Sequence, residues 1–285
     1  MVHFCADDYG MTENGNRRMV HCLENGVLNK VSVLPNGKIS DFKNRLKERG
    51  ATVSLHINLV EESPLSNAGD IRMLITDQGY FRYSFTGLFF LSLLKGKKLE
   101  NQIYKELQSQ IKFWKEAVGE NAEISIDSHQ HTHMIPLVFK TLMHVIKDEK
   151  VQVDCIRIPS EPVLPYLCTP SLYFSYSPAG LVKQWLLKFL ALVNKKELKK
   201  SKIQSSYFMG VMFSGRMSEK VIKKLLPKYM RIAEKNGKNI ELGFHPGHVK
   251  SEVELIEGYR KSFKKFYFSP GRNMEYNTLL NLKFD

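Results

Sequence analysis

The chain has 285 residues, 43% of them hydrophobic and 25% charged, an ordinary composition for a globular protein that is long enough for one large α/β domain. Its longest apolar stretch, residues 85–94, has about half of the ~20 residues that a transmembrane helix needs, which argues against a membrane span. The net charge of +13 comes without a helix-turn-helix, zinc-finger or RNP pattern, which favours a solvated basic surface over nucleic-acid binding.

Apolar runs with strand character alternate with helical patterns along most of the chain. The predicted strands are residues 2–6, 27–34, 51–55, 124–127, 153–158 and 240–244. The predicted helices are residues 14–25, 39–48, 100–118, 137–148, 181–193 and 218–236. Alternation of this kind favours a parallel sheet with helices outside it.

Two stretches interrupt the alternation. Residues 61–80 read as a loop that could form a wall of a site, and residues 159–215 are rich in proline. Within the second stretch, the helix 181–193 is apolar and continues in basic residues through Lys202. Such a helix packs more often on its own domain or on another subunit than on a membrane surface, so a homodimer and a peripheral membrane contact both stay open.

The most informative motif is the histidine cluster His129, His131 and His133, which follows the predicted strand 124–127. Alternate residues of an extended chain project to the same side, so a strand end can aim two imidazoles at one point. Imidazole is a common ligand of divalent metals. The cluster is internal and follows an apolar run, which predicts a metal or catalytic site instead of an expression tag or a polar loop.

Acidic and histidine residues follow three other predicted strands. Asp7 and Asp8 come after the first strand, His56 after strand 51–55 and His245 after strand 240–244. The adjacent carboxylates of Asp7 and Asp8 would repel each other unless positive charge lies beside them. A role in capping the following helix would explain only one of these two aspartates. Because parallel α/β proteins build their sites at the carboxyl ends of strands, we expect one shared site.

Seven segments in the same order resemble those of the YdjC-like carbohydrate deacetylases, the family of chitooligosaccharide deacetylase. They are residues 6–10 (ADDYG), 31–37 (VSVLPNG), 54–59 (SLHINL), 127–133 (DSHQHTH), 157–159 (RIP), 241–247 (ELGFHPG) and 272–275 (RNME). The departures, at Tyr9, Ser54 and residues 243–244, touch no expected ligand. The resemblance implies an α/β fold, an irregular (β/α) barrel of the glycoside hydrolase/deacetylase type. It also implies one domain over residues 1–285, with a helical and loop insertion at about 159–215.

The resemblance also implies a metal-dependent hydrolase that removes the acetyl group of an N-acetylated sugar or oligosaccharide, cleaving a linear amide C–N bond. Asp8, His56 and His129 match the metal ligands, Asp7 the general base and His245 the general acid. One divalent ion is expected. Two imidazoles and a carboxylate suit Zn²⁺, whereas Mg²⁺ prefers oxygen ligands and is the second choice.

Supporting roles are expected for three further residues of these motifs. Arg157 is expected either to balance the charge of Asp7 or to hold a surface carboxylate, and Asp127 is expected to orient a metal ligand. His131 is expected either to contact the substrate or to pack structurally, and the role of His133 stays open.

Two other functions are compatible with parts of the sequence. The basic charge is compatible with a metal-dependent phosphoesterase, although such sites often hold two metals and more carboxylates. A non-catalytic protein that binds glycans or a membrane surface would need neither a base nor an acid. The motifs G-x-S-x-G, G-x-G-x-x-G, Walker A and H-E-x-x-H are absent from the sequence.

Four cysteines without C-x-x-C spacing and no signal peptide predict a cytoplasmic protein.

Overall fold

The computed structural model describes residues 1–40, 42–176, 178–251, 254–255 and 258–284. In this part of the chain the strands are β1 (Val2–Tyr9), β2 (Lys30–Val33), β3 (Thr52–Ile57), β4 (Ile124–Ser128), β5 (Val153–Ile156), β6 (Tyr207–Met209) and β7 (Ile240–Phe244). The α-helices are α1 (Glu13–Asn25), α2 (Phe42–Lys47), α3 (Phe85–Val118), α4 (Pro136–Asp148), α5 (Leu164–Leu167), α6 (Pro178–Ser201), α7 (Glu219–Lys235), α8 (Lys264–Tyr267) and α9 (Pro270–Asn281).

The strands form one sheet in the order β5-β4-β3-β2-β1-β7-β6, and every pair of neighbours is parallel. Strands β2, β4 and β7 are buried along their whole length, as expected for a parallel sheet covered on both faces. The predicted α/β class with a parallel sheet and outer helices is confirmed.

The sheet curls into a half-barrel and does not close into the predicted barrel. Between its two ends the described residues show one isolated bridge, Cys155 to Gln204, in place of a ladder. The end strands β5 and β6 have only four and three residues, which leaves little backbone to pair. The single domain with an insertion at about 159–215 stays a prediction; α5 and α6 lie within that stretch.

Several elements differ from the sequence-based expectation: α5, α8 and α9 were not predicted, and two other differences have local reasons. Helix α3 begins fifteen residues before the predicted residue 100, and the two parts of α3 are separated at Gly96, whose φ of 43° is not helical. Strand β6 was not predicted, because three residues are too few for a periodic signal. Among the described residues, no helix combines the length and the apolar character that crossing a bilayer requires.

The order of the strands brings the sequence motifs to one edge of the sheet. Asp8 lies in β1 and His56 in β3, whereas His129 and His245 directly follow β4 and β7. These four strands lie in the contiguous run β4-β3-β2-β1-β7. The register pairs His56 with Asp127 and Ala6 with Phe244, so these strands end at nearly the same level. The motifs therefore share the carboxyl edge of the sheet.

Candidate active site

The end of β1 directs two consecutive aspartates into one cavity. The pairing of β1 with β2 is irregular between Ala6 and Tyr9, and Asp8 has a φ of 73°. In a regular strand Asp7 and Asp8 would face opposite sides, but this local turn lets both line the cavity. Neither caps α1, because the Thr12 side chain accepts the hydrogen bond at that helix start.

The three expected metal ligands lie together and are buried. Asp8 Oδ1 is 2.8 Å from His129 Nδ1 and 3.5 Å from His56 Nε2. The ligand atoms of the three residues all lie within 4.8 Å of one another. One carboxylate and two imidazoles at this spacing could hold a divalent metal ion.

Asp127 orients the His56 ring from the side that faces away from Asp8. Its Oδ1 is 2.6 Å from His56 Nδ1, which leaves the other ring nitrogen directed at Asp8. Burial lowers the pKa of His56, but the Asp127 and Asp8 carboxylates outweigh it and raise that pKa to about 9. This carboxylate–histidine pair is the arrangement that commonly supports a metal ligand.

This arrangement gives a first testable prediction. We expect Asp127→Asn to weaken metal affinity by about 10- to 100-fold, because the amide holds the His56 ring less firmly than the carboxylate does. Metal titration followed by elemental analysis measures the effect, and thermal unfolding shows whether the variant is folded. Asp154→Asn on the exposed face of β5 is the matched control. Equal affinity in both variants would show that Asp127 does not support the ligand.

Glu61 is a fourth candidate ligand, one that the sequence motifs did not indicate. It is fully buried, its Oε2 is 2.9 Å from His129 Nε2, and the Tyr267 hydroxyl donates to the same oxygen. Burial lowers the pKa of His129, but Asp8 and Glu61 raise that pKa to about 10. Two carboxylates thus flank this ring with negative charge that a divalent cation would offset. The only sequence signal was an acidic pair, Glu61 and Glu62, placed directly after an apolar segment.

Arg157 is the cation beside Asp7, as expected from the sequence. Its Nη1 and Nη2 donate to the two Asp7 oxygens at 2.6 and 2.9 Å. Nη2 also lies 2.9 Å from Asp127 Oδ2 and 2.5 Å from Glu241 Oε1. Two further groups of candidate ligands, one with Cys5, Asp127 and Glu241 and one with Asp7, His56 and Asp127, therefore already have a counter-charge. Asp8 also has a cation beside it, because Arg272 Nη2 lies 3.3 Å from Asp8 Oδ2. Its Oδ1 faces the two imidazoles, so Asp8, His56 and His129 remain the candidate metal cluster.

His245 lies directly after β7 and lines the same cavity as Asp7 and Asp8. Its backbone N–H donates to Glu275 Oε2 at 2.6 Å, which fixes the backbone at this strand end. The side chain is 19% exposed and its ring packs edge-on against Phe266. Its Nδ1 is buried and lies 3.7 Å from Glu275 Oε2, too far for a hydrogen bond, and among the described residues it has no other hydrogen-bond partner.

The expectation that alternate histidines project from an extended strand is wrong. Strand β4 ends at Ser128, and residues 129–134 form a tight turn in which Gln130 and His131 have φ values of 55° and 60°. His131 still lines the cavity, and burial keeps its pKa well below the ordinary value. His133 is buried, with Nε2 2.7 Å from the carbonyl oxygen of Arg157, so it has a structural position.

The cavity has a volume of about 370 Å³, within the range of small-molecule sites. Its polar floor is made by residues at or just beyond the carboxyl ends of the strands: Asp7, Asp8, His56, His129, His131 and His245. Its walls come from later segments: Lys183, Phe208, Phe263, Phe266 and Tyr267. Convergent polar groups beside aromatic walls suit a small ligand with one polar reacting end.

Comparisons with known proteins concern the family and the fold of this chain. The sequence profile of the family described as YdjC-like protein matches residues 1–285. A carbohydrate deacetylase of Xenopus laevis is 31% identical over 166 residues, which cover 58% of this chain and 52% of that protein. A carbohydrate deacetylase of Thermoanaerobacter pseudethanolicus is 25% identical over 190 residues, which cover 65% of this chain and 73% of that protein. The match thus spans only about half of the frog protein's length.

A solved structure from Enterococcus faecalis V583, described as a candidate cellobiose-phosphate cleavage protein, has the same fold. Its TM-score with this chain is 0.65 at 16% identity, over 98% of this chain and 90% of the other. At this identity the likeness concerns the fold alone.

Proposed function

Because this chain belongs to the YdjC-like protein family, we propose that it is a metal-dependent carbohydrate deacetylase. In this proposal it hydrolyses the amide bond between an acetyl group and the nitrogen of a sugar. Two relatives are named carbohydrate deacetylases. The observation that carries the proposal is a single cavity lined by the Asp8, His56 and His129 cluster together with Asp7 and His245. A binding protein would need no such acid and base.

Asp8, His56 and His129 are the residues that would hold the metal. Their two nitrogen donors favour Zn²⁺ over Mg²⁺, and the bound ion would polarise the acetyl carbonyl and make water more acidic. Glu61 lies against His129 and is placed either to join the ligands or to orient that ring.

Asp7 and His245 would carry the proton transfers. Asp7 accepts a proton from the attacking water as the oxygen adds to the acetyl carbon, and Arg157 holds the carboxylate in position. His245 donates a proton to the sugar nitrogen as the C–N bond breaks, which gives acetate and a free amine. His131 is kept neutral by burial, so it would contact the sugar as an uncharged ring.

The experiment that tests this function is a screen for acetate release. The protein is loaded with Zn²⁺ or Mg²⁺ and given N-acetylated monosaccharides and oligosaccharides, with simple phosphate esters as the comparison. We expect acetate and a free amino sugar in equal amounts from at least one substrate. Release of phosphate without acetate would establish the phosphoesterase instead. Glycan binding with neither product under any metal would establish a non-catalytic protein.

A further inference from the structure

Helix α6 carries an apolar stripe that the described part of the fold leaves uncovered. Its members are more than 45% exposed: Val182, Trp185, Phe189, Leu192 and Val193. Their spacing places them within about 100° of the helix circumference. The opposite side of α6 is buried through Leu187, Leu190 and Asn194. The helix is thus already packed on the protein, and this exposed stripe faces away from it.

Lysines border the exposed stripe and extend it. In α6 they are Lys188, Lys195, Lys196, Lys199 and Lys200, and the one acidic residue of the helix, Glu197, pairs with Lys200 at 2.8 Å. Lys196 and Lys200 continue the line of the stripe at helical spacing. The Lys188 ammonium lies 5.5 Å from the centre of the Trp185 ring. The partner of this surface therefore has to accept aliphatic and aromatic side chains and also carry negative charge.

The first turns of α3 have the same character. Phe85 and Phe89 pack against the apolar cluster that contains Leu187 and Leu190 of α6. On the outer side of α3, Phe90, Leu93 and Leu94 are exposed. Three exposed lysines follow at the break in the helix: Lys95, Lys97 and Lys98.

We propose that α6, together with the first turns of α3, is an interfacial docking surface for an anionic lipid bilayer. Interfacial helices bury an apolar face at the boundary of headgroups and acyl chains, while flanking lysines reach anionic headgroups. A second copy of this chain fits less well, because pairing two such surfaces would bring two sets of lysines together. The inference stands apart from the catalytic proposal, since it concerns binding alone.

The position of this surface links it to the cavity. Helix α6 supplies Ala179, Gly180 and Lys183 to the cavity wall, so the helix that contacts lipid also borders the candidate active site. Docking would hold that site beside the membrane surface, where a sugar attached to a lipid would be presented.

Tryptophan fluorescence of the full chain offers a direct test. The chain has two tryptophans: Trp114 is buried, stacked on Phe42, whereas Trp185 is 61% exposed. Vesicles that contain phosphatidylglycerol should shift the emission to shorter wavelength and sediment with the protein, and phosphatidylcholine vesicles should do neither. In Trp185→Phe the shift should disappear while sedimentation persists. Equal behaviour with both kinds of vesicle, or no binding to either, would overturn the proposal.

Paired variants distinguish specific vesicle binding by this surface from nonspecific adsorption of the protein. We expect Trp185→Ser combined with Phe189→Ser, and separately Lys195→Glu combined with Lys199→Glu, to weaken vesicle binding by about tenfold or more. The matched controls are Met230→Ser with Met274→Ser, which are exposed apolar positions on α7 and α9, and Lys220→Glu with Lys235→Glu on α7. Equal losses in test and control variants would contradict the assignment. The assignment would also be contradicted if the wild type did not bind vesicles and instead formed a dimer in sedimentation velocity that the α6 variants dissociate.

Discussion

The Asp7→Asn variant is expected to lose about 10²-fold or more in kcat, because an amide cannot accept the proton of the attacking water. Its metal content and its KM should change little, since Asp7 is not among the proposed ligands and proton transfer assists the transition state more than substrate binding. Asparagine has the size of aspartate, but it offers one acceptor to the Arg157 guanidinium where the carboxylate offers two. Thermal unfolding should therefore accompany the kinetics.

His245→Ala tests the other proton transfer and does not disturb Arg157. We expect a loss of similar size in kcat with the metal retained. His248→Ala is the matched control, because it removes an imidazole three residues later that does not line the cavity. If His245→Ala and His248→Ala kept equal activity, the assignment of the acid would be wrong.

The second large effect concerns the metal. His56→Ala and His129→Ala should each reduce metal content to background and abolish turnover, because each removes one of the proposed protein ligands. His131→Ala is the control, since His131 lines the cavity but lies outside the ligand cluster, and it should keep its metal. Elemental analysis of the purified variants after loading measures this directly. Full metal content in His129→Ala would move the assignment to Glu61 or His131.

The location of the site was predictable from the sequence because a parallel sheet collects its carboxyl ends at one edge. Aspartate and histidine after four predicted strands therefore indicated one site, and Asp8, His56 and His129 do lie together. The contact of Arg157 with Asp7 also agrees with the expectation from the motif.

Other features of the site and of the fold depend on tertiary contacts, which no local sequence pattern indicates. Glu61 reaches His129 because Asn58 Oδ1 accepts the backbone N–H groups of Val60 and Glu61 and turns the chain there. The turn after β4 requires positive φ at Gln130 and His131, which alternation of residues cannot reveal. Whether the sheet closes depends on the relative positions of β5 and β6, which are remote in sequence.

The most direct test of the deacetylase proposal is the simultaneous measurement of acetate, free amine and metal in one reaction. An N-acetylated oligosaccharide is treated with the protein as purified, after removal of metal with a chelator, and after restoration with one equivalent of Zn²⁺ or Mg²⁺. We predict that acetate and amine form in equal amounts, stop when the metal is removed and resume when it is restored. Undiminished acetate release from protein shown by elemental analysis to contain no metal would contradict the proposal, as would an intact amide under every condition.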